Sequence, residues 1–220
     1  SFALRNIVRR GTGTLTLESN NFQSYLAVTN NNNSGSMVGK GNEVYSRVDV
    51  FNYADSPVDL AYEGGTTTFS NQVLLVNTQN GTISIGLGGG TATLQNSASL
   101  QIGAFGTGTV SLNNLTVNGI YNPSVTTLTG TTHLHLTNCT FNSPFYQILP
   151  RITCGTGNQF NNLFLVDVTG DQPSSISGNF NLLATIIRNG DGNLSIAGGN
   201  FIGNALIENE SSAGSLQLSD

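Results

Sequence analysis

Leu134-His135-Leu136-Thr137-Asn138-Cys139-Thr140-Phe141 decides how this chain folds, because its pattern returns as Leu194-Ser195-Ile196-Ala197-Gly198-Gly199-Asn200-Phe201 and, far upstream, as Leu15-Thr16-Leu17-Glu18-Ser19-Asn20-Asn21-Phe22. Two apolar residues one apart lead into a Phe, and Leu17 to Phe22 spans the same five steps as Ile196 to Phe201. The Phe itself recurs almost every twenty residues, at Phe141, Phe160, Phe180 and Phe201. The residue before it is small or amide-bearing: Asn21, Thr140, Gln159, Asn179 or Asn200. A second apolar run follows, from Phe145 to Leu149, Leu163 to Val166, Leu182 to Ile187 and Ala205 to Ile207. One unit therefore reads strand, corner, Phe, strand.

Alternation at period two turns one face of a strand inward, and a repeat of about twenty residues is too short for a βαβ unit with its crossover helix. Such a unit cannot bury its own face. Stacking resolves this: each turn pairs its backbone with the turns above and below at about 4.8 Å, and the inward residues form a continuous core. The expected fold is all-β, a single-stranded parallel β-helix (β-solenoid) of about twenty residues per turn, with each Phe seated on the previous one. The chain contains 29 Asn. Asn suits sharp corners, because it tolerates left-handed backbone angles and bonds its own chain.

The middle of the chain varies the theme with Ile83-Ser84-Ile85, Thr91-Ala92-Thr93-Leu94, Leu100-Gln101-Ile102-Gly103 and Gly106-Thr107-Gly108-Thr109-Val110-Ser111-Leu112. The last of these echoes Gly11-Thr12-Gly13-Thr14-Leu15-Thr16-Leu17. The Leu-x-Ile-Gly…Gly-x-Gly-Thr-Val-x-Leu segment resembles repeats in the passenger domains of bacterial autotransporters and related surface proteins, and it is similar to the right-handed parallel β-helices of phage tailspikes. The resemblance covers residues 80 to 220, with a weaker copy near 11 to 28. It implies an architecture and leaves activity open, since such folds carry lyases, hydrolases, adhesins and inert shafts alike. Turns near twenty residues exceed the compact hexapeptide-type coil, which favours a right-handed one.

At 220 residues and 23.0 kDa the chain makes one domain of eight to ten turns. Apolar residues are 37% of it, below the usual globular share, and charged residues only 9%, with one Lys, six Arg and a net charge of −5. No basic patch exists, which argues against a nucleic-acid partner. No apolar run of about twenty residues supplies a transmembrane helix. Ser1 in place of an initiator Met suggests a mature product or an excised piece, with any export signal out of view. Cys139 and Cys154 lie outside metal-ligand spacing, so no metal or other cofactor is expected. With a period near nineteen Cys139 maps onto Asn158 of the next turn, leaving the pair open as buried thiols or a disulfide. Six N-x-Ser/Thr sequons, at Asn32, Asn80, Asn114, Asn138, Asn193 and Asn209, match the number that composition alone produces.

Along the single domain 1–220, Ala3, Leu4, Ile7 and Val8 fall at helical spacing before Arg9, Arg10 and Gly11, so residues 1–10 read as a short N-terminal capping helix; the alternative is a first strand from Leu4 to Val8. Residues 30–75 read as an irregular loop followed by an aromatic and acidic elaboration, and 80–220 as regular turns. Ser215-Leu216-Gln217-Leu218 reads as one more strand with no capping pattern after it, so its edge is expected either to be covered by another chain or to mark a truncated sequence.

The elaboration holds the binding candidates. From Val44 to Tyr53 one face carries Val44, Ser46, Val48 and Val50, and the other carries Tyr45, Arg47, Asp49, Phe51 and Tyr53. Rings beside a charge suit sugar stacking or a protein contact, although the same rings could pack under the 30–42 loop or against a neighbouring subunit. Glycan-cleaving β-helices, which this chain resembles, line acids along an outer face. Asp167 and Glu208 each lie seven residues after a Phe, which places them in one column two turns apart, near 9.6 Å and at the upper range for an inverting pair. A lyase-like calcium cluster has only Asp167, Asp171 and Arg188 to approximate it. His133 and His135 face away from Leu134 and Leu136 as a solvated or interface pair. Scarce titratable groups, neutral polar surfaces and two associable ends favour a non-enzymatic extracellular, cell-surface or virion structural protein, a self-associating fibre or filament subunit. An adhesin recognising a glycan or receptor through Tyr45, Arg47, Phe51 and Tyr53, and a polysaccharide-degrading tailspike, are the alternatives.

Overall fold

A computed structural model describes residues 5–121, 127–128 and 130–219. Every strand pairing among them is parallel, and no helix occurs. The chain coils as a β-solenoid of about nine turns with about 22 residues per turn. Each turn contributes a strand to each of three sides. Leu26–Asn30, Met37–Lys40 and Glu43–Val44 make up one such turn, and Leu26 then pairs with Val48, Met37 with Val58 and Val44 with Phe69 of the next. The second side is one ten-stranded sheet and the third a nine-stranded sheet. The first side is divided into a sheet that runs from Arg5–Arg9 to Ile120–Tyr121 and Thr127–Leu128 and a four-stranded sheet from Phe145–Leu149 to Ala205–Asn209.

Columns of inward residues form the core. On the third side the order is Phe22, Val44, Phe69, Leu94, Val117, Phe141, Phe160, Phe180 and Phe201. The last four rings stack face to face at 5.4, 5.1 and 4.7 Å between centroids. A second aromatic column, Tyr121, Phe145 and Phe164, meets the first edge-on or tilted. The second side adds Leu112, Leu136, Cys154, Ile176 and Ile196, which places Cys154 in an aliphatic column. Both cysteines are free and buried, and loss of solvation pushes the thiols up, Cys139 to about 11 and Cys154 to about 12. Asn158 does lie against Cys139, accepting its backbone N–H at 2.9 Å.

Asparagine organises the corners in three ways. Ser19, Asn114 and Asn138 take left-handed angles where the second side turns into the third, the position that Gly41 and Gly198 fill elsewhere. Inside, at the end of the first-side strands, Arg9 donates to Asn30 Oδ1 at 2.6 Å, Asn30 to Asn52 at 2.9 Å and Asn52 to Asn77 at 3.3 Å. Outside, the residues that follow Val117, Phe141, Phe160 and Phe180 form a second ladder: Asn142 donates to Asn118, Asn161 to Asn142 and Asn181 to Asn161.

Two readings of the sequence change. Residues 5–9 form a strand, Arg5–Arg9, paired with Leu26–Asn30, where a helix was expected; Ala3 and Leu4 lie outside the described residues. A strand wins because Ile7 packs on the core and Arg9 is needed inside, where it joins the Asn ladder instead of closing a helix in solvent. Residues 30–75, read as an irregular loop and an aromatic and acidic elaboration, carry the six strands from Met37–Lys40 to Val73–Asn77 in the same ladders as their neighbours. Their turns are merely longer, so the repeat loses its fixed spacing.

Candidate functional site

The five residues from Tyr45 to Tyr53 straddle a corner. Tyr45 and Arg47 lie between Glu43–Val44 and Val48–Asn52, and the others belong to or follow the second of these strands. Asp49 is only 3% exposed; its carboxylate holds Arg47 through two bonds of 2.7 and 2.8 Å and accepts the Tyr25 hydroxyl at 2.6 Å. Arg47 lies over the Tyr25 ring, and the bond to Asp49 pushes the Tyr25 phenol up. Charge and acceptor are thus engaged with each other, as in a structural brace. Phe51 and Tyr53 stack at 6.0 Å on the outer surface, and Tyr45 stands apart, bonded to Glu43.

Asp167 and Glu208 do share a column, through Ile187 between them. Asp167 accepts a bond from the Asn189 amide at 2.8 Å. The surface around them is apolar: Tyr146, Leu165, Thr185 and Leu206 form the adjacent row, and Ile148 and Ile187 complete theirs. Leu206 and Ile148 are each 48% exposed, with Leu163 and Leu183 beside them at the corner. Arg188 cannot join an outer cluster with Asp167 and Asp171, because it points inward with 0% exposure and donates to the carbonyls of Gly192 and Ala213 and to Asn209.

His133 and His135 stack at 5.8 Å on the outer face of the second side. Their Nε2 atoms meet Thr153 and Thr137. Burial first, then Arg151 and His135, pulls His133 down to about 4, and burial lowers His135 as well. No group of three or more His, Cys, Asp or Glu able to hold a metal ion occurs among the described residues.

A concavity of about 440 Å³ lies on the second side near its first turns. Thr14, Thr16, Glu18, Lys40, Tyr62 and Leu87 are among its lining residues. Asp59 organises the surrounding loops, its buried carboxylate accepting the N–H groups of Ala61, Gly86 and Gly88 at 3.1, 3.0 and 3.2 Å. Burial raises its pKa against the pull of those donors. The sequence carried no signal for this site, since its residues come from strands and loops up to 73 positions apart, Thr14 to Leu87. No family model, curated protein or solved structure matches this chain. The site chemistry therefore stands on this geometry alone. Its two most distinctive surfaces are the hydroxyl-lined concavity and the apolar outer face of the four-stranded sheet.

Proposed function

We propose that the chain is a non-enzymatic structural protein of the cell exterior or a virion, a β-solenoid subunit that self-associates into a fibre, filament or surface layer. The observation that carries this reading is the outer face of the four-stranded sheet. Tyr146, Ile148, Leu163, Leu183 and Leu206 lie exposed and contiguous on a rigid surface, an arrangement typical of a contact site. The reading agrees with the resemblance to autotransporter passengers and tailspikes. Light scattering and electron microscopy of the purified protein test it: ordered oligomers are expected, and Ile148→Asp with Leu206→Asp should weaken them with circular dichroism unchanged. A monomer at every concentration would overturn it.

Glycan recognition is the second reading, favoured by Tyr53, exposed and stacked on the half-buried Phe51, and by the hydroxyl-lined concavity. Binding to a glycan array that is lost in Tyr53→Ala or Tyr62→Ala supports it, and no binding refutes it. A polysaccharide-cleaving role would use Asp167 and Glu208; undiminished cleavage by Asp167→Asn would remove that assignment.

A further inference from the structure

The concavity of about 440 Å³ is shaped by two loops that buried groups fix in place. Residues 60–65 follow the strand Val58–Asp59, and residues 86–90 follow Thr82–Ile85. The Asp59 carboxylate joins them, since it accepts the N–H of Ala61 in the first loop and those of Gly86 and Gly88 in the second. The Tyr62 N–H donates to Gly39 O at 2.6 Å and ties the first loop to the strand Met37–Lys40. Two glycines permit the close approach. A Cβ on Gly90 would strike the Ala61 carbonyl, and one on Gly88 would strike the Tyr62 ring. The ring therefore lies against the Gly88 backbone, and its place is set before any ligand arrives.

The remaining groups come from outward rows of the second side. Thr16, Val38 and Asp59 share one row, and Glu18 and Lys40 the next. The concavity thus opens on the outer face of the sheet, to the side of the coil rather than along its axis. Glu18 and Lys40 meet at 3.5 Å with side chains 55% and 39% exposed, so an acceptor and a donor stand side by side with bonding capacity to spare.

We infer that this concavity binds a neutral pyranose, one sugar ring of a glycan, with its apolar C–H face on Tyr62 and Leu87 and its hydroxyls on Glu18, Lys40 and Thr16. The inference rests on the glycan reading above and gives it a site and a sugar class. A pyranose presents an apolar face and a rim of hydroxyls that donate and accept at once. Tyr62 and Leu87 supply the matching apolar surface, and the Glu18–Lys40 pair supplies charge-assisted bonds of both polarities. The volume falls within the range of about 300–1,000 Å³ usual for small-molecule sites. Charge selects among sugars. Three carboxylates, Glu18, Asp59 and Glu63, line the concavity against one cation, Lys40, so an acidic sugar is repelled.

Calorimetric titration and saturation-transfer NMR of the 220-residue protein test this, with the methyl glycosides of glucose, galactose, mannose and N-acetylglucosamine as neutral probes and methyl glucuronide as the acidic one. At least one neutral glycoside should bind, and the glucuronide should not. Tyr62→Ala should weaken that binding by about tenfold, and so should Gly88→Ala, which keeps the ring but displaces it. Tyr62→Phe should retain it, with circular dichroism unchanged in all three variants. Preference for the glucuronide, or binding that withstands both Tyr62→Ala and Gly88→Ala, would overturn the site. Binding that withstands them and is lost in Tyr53→Ala would overturn it and leave glycan recognition standing at the Phe51–Tyr53 stack. Silence across the five probes would also overturn it, and the glycan array then decides whether glycan recognition falls as well.

Discussion

The two halves of the solenoid hold the same strand register by different chemistry. In residues 141–201 the third-side column is phenylalanine in four consecutive turns, spaced 19 to 21 residues apart, with Phe145 and Phe164 packed beside it. In residues 22–117 the same column alternates Phe22, Val44, Phe69, Leu94 and Val117 at spacings of 22 to 25. Rings of equal size stack only when the turns are level. Mixed aliphatic residues tolerate a slip, which in a strand would turn the apolar face outward. The first half supplies the missing constraint with the buried ladder Arg9, Asn30, Asn52 and Asn77, whose bonds form only in register. The second half has Leu149 and Val168 at that position before Arg188 and Asn209 restore a polar pair, and through its middle turns it relies on its rings.

The comparison sharpens if one ring is removed. Phe160→Ala should cost about 3–5 kcal/mol in denaturant unfolding, as expected for a buried aromatic, because Phe141, Phe145, Phe164 and Phe180 all lose a partner. Leu94→Ala, in the same column of the other half, should fall nearer the lower end of the range of about 2–5 kcal/mol for aliphatic truncation. Equal losses would erase the distinction.

The amide ladders give the next test. Asn52→Ala strands the Asn77 side-chain oxygen in the interior and leaves the Asn30 amide with Ser56 alone, and should destabilise by about 1–3 kcal/mol. Asn161→Ala breaks the outer ladder, where water replaces both partners, and should stay within about 0.5 kcal/mol. Comparable effects would mean that the inner ladder does not set register.

Two pH effects should localise to the second half. Cys139 and Cys154 are raised in the folded state, so their contribution is complete below about 9 and is lost as pH rises through about 11 to 12. Substituting both by Ala should flatten alkaline unfolding monitored by circular dichroism. His133 is lowered, so stability holds above its ordinary 6.5 and falls as pH drops towards about 4. His133→Asn should remove a modest part of the acid sensitivity. An NMR titration of the His133 ring near 6.5 would contradict its burial.

The fold was legible where one residue type recurs, and the four Phe alone implied stacked turns. The strand at Arg5–Arg9 was ambiguous because Ile7 and Val8 satisfy helical spacing as well as a short strand, and nothing in the sequence marks Arg9 as an interior residue. Turns in residues 37–77 went unread because longer corners displace Val44 and Phe69 from a constant spacing. Attention to the residue before each Phe missed the outer ladder formed by the one after it. The column shared by Asp167 and Glu208 was legible from spacing, whereas the Asp49 brace and the concavity near Asp59 depend on Tyr25 and on the loop at 86–88, contacts that no local pattern announces.

Nuclear Overhauser contacts among selectively labelled phenylalanine rings test the central claim most directly. The account predicts contacts of Phe160 with both Phe141 and Phe180, of Phe180 with Phe201, and none between Phe141 and Phe180, which lie two turns or about 10 Å apart. Rings without mutual contacts, or a direct contact between Phe141 and Phe201, would contradict it.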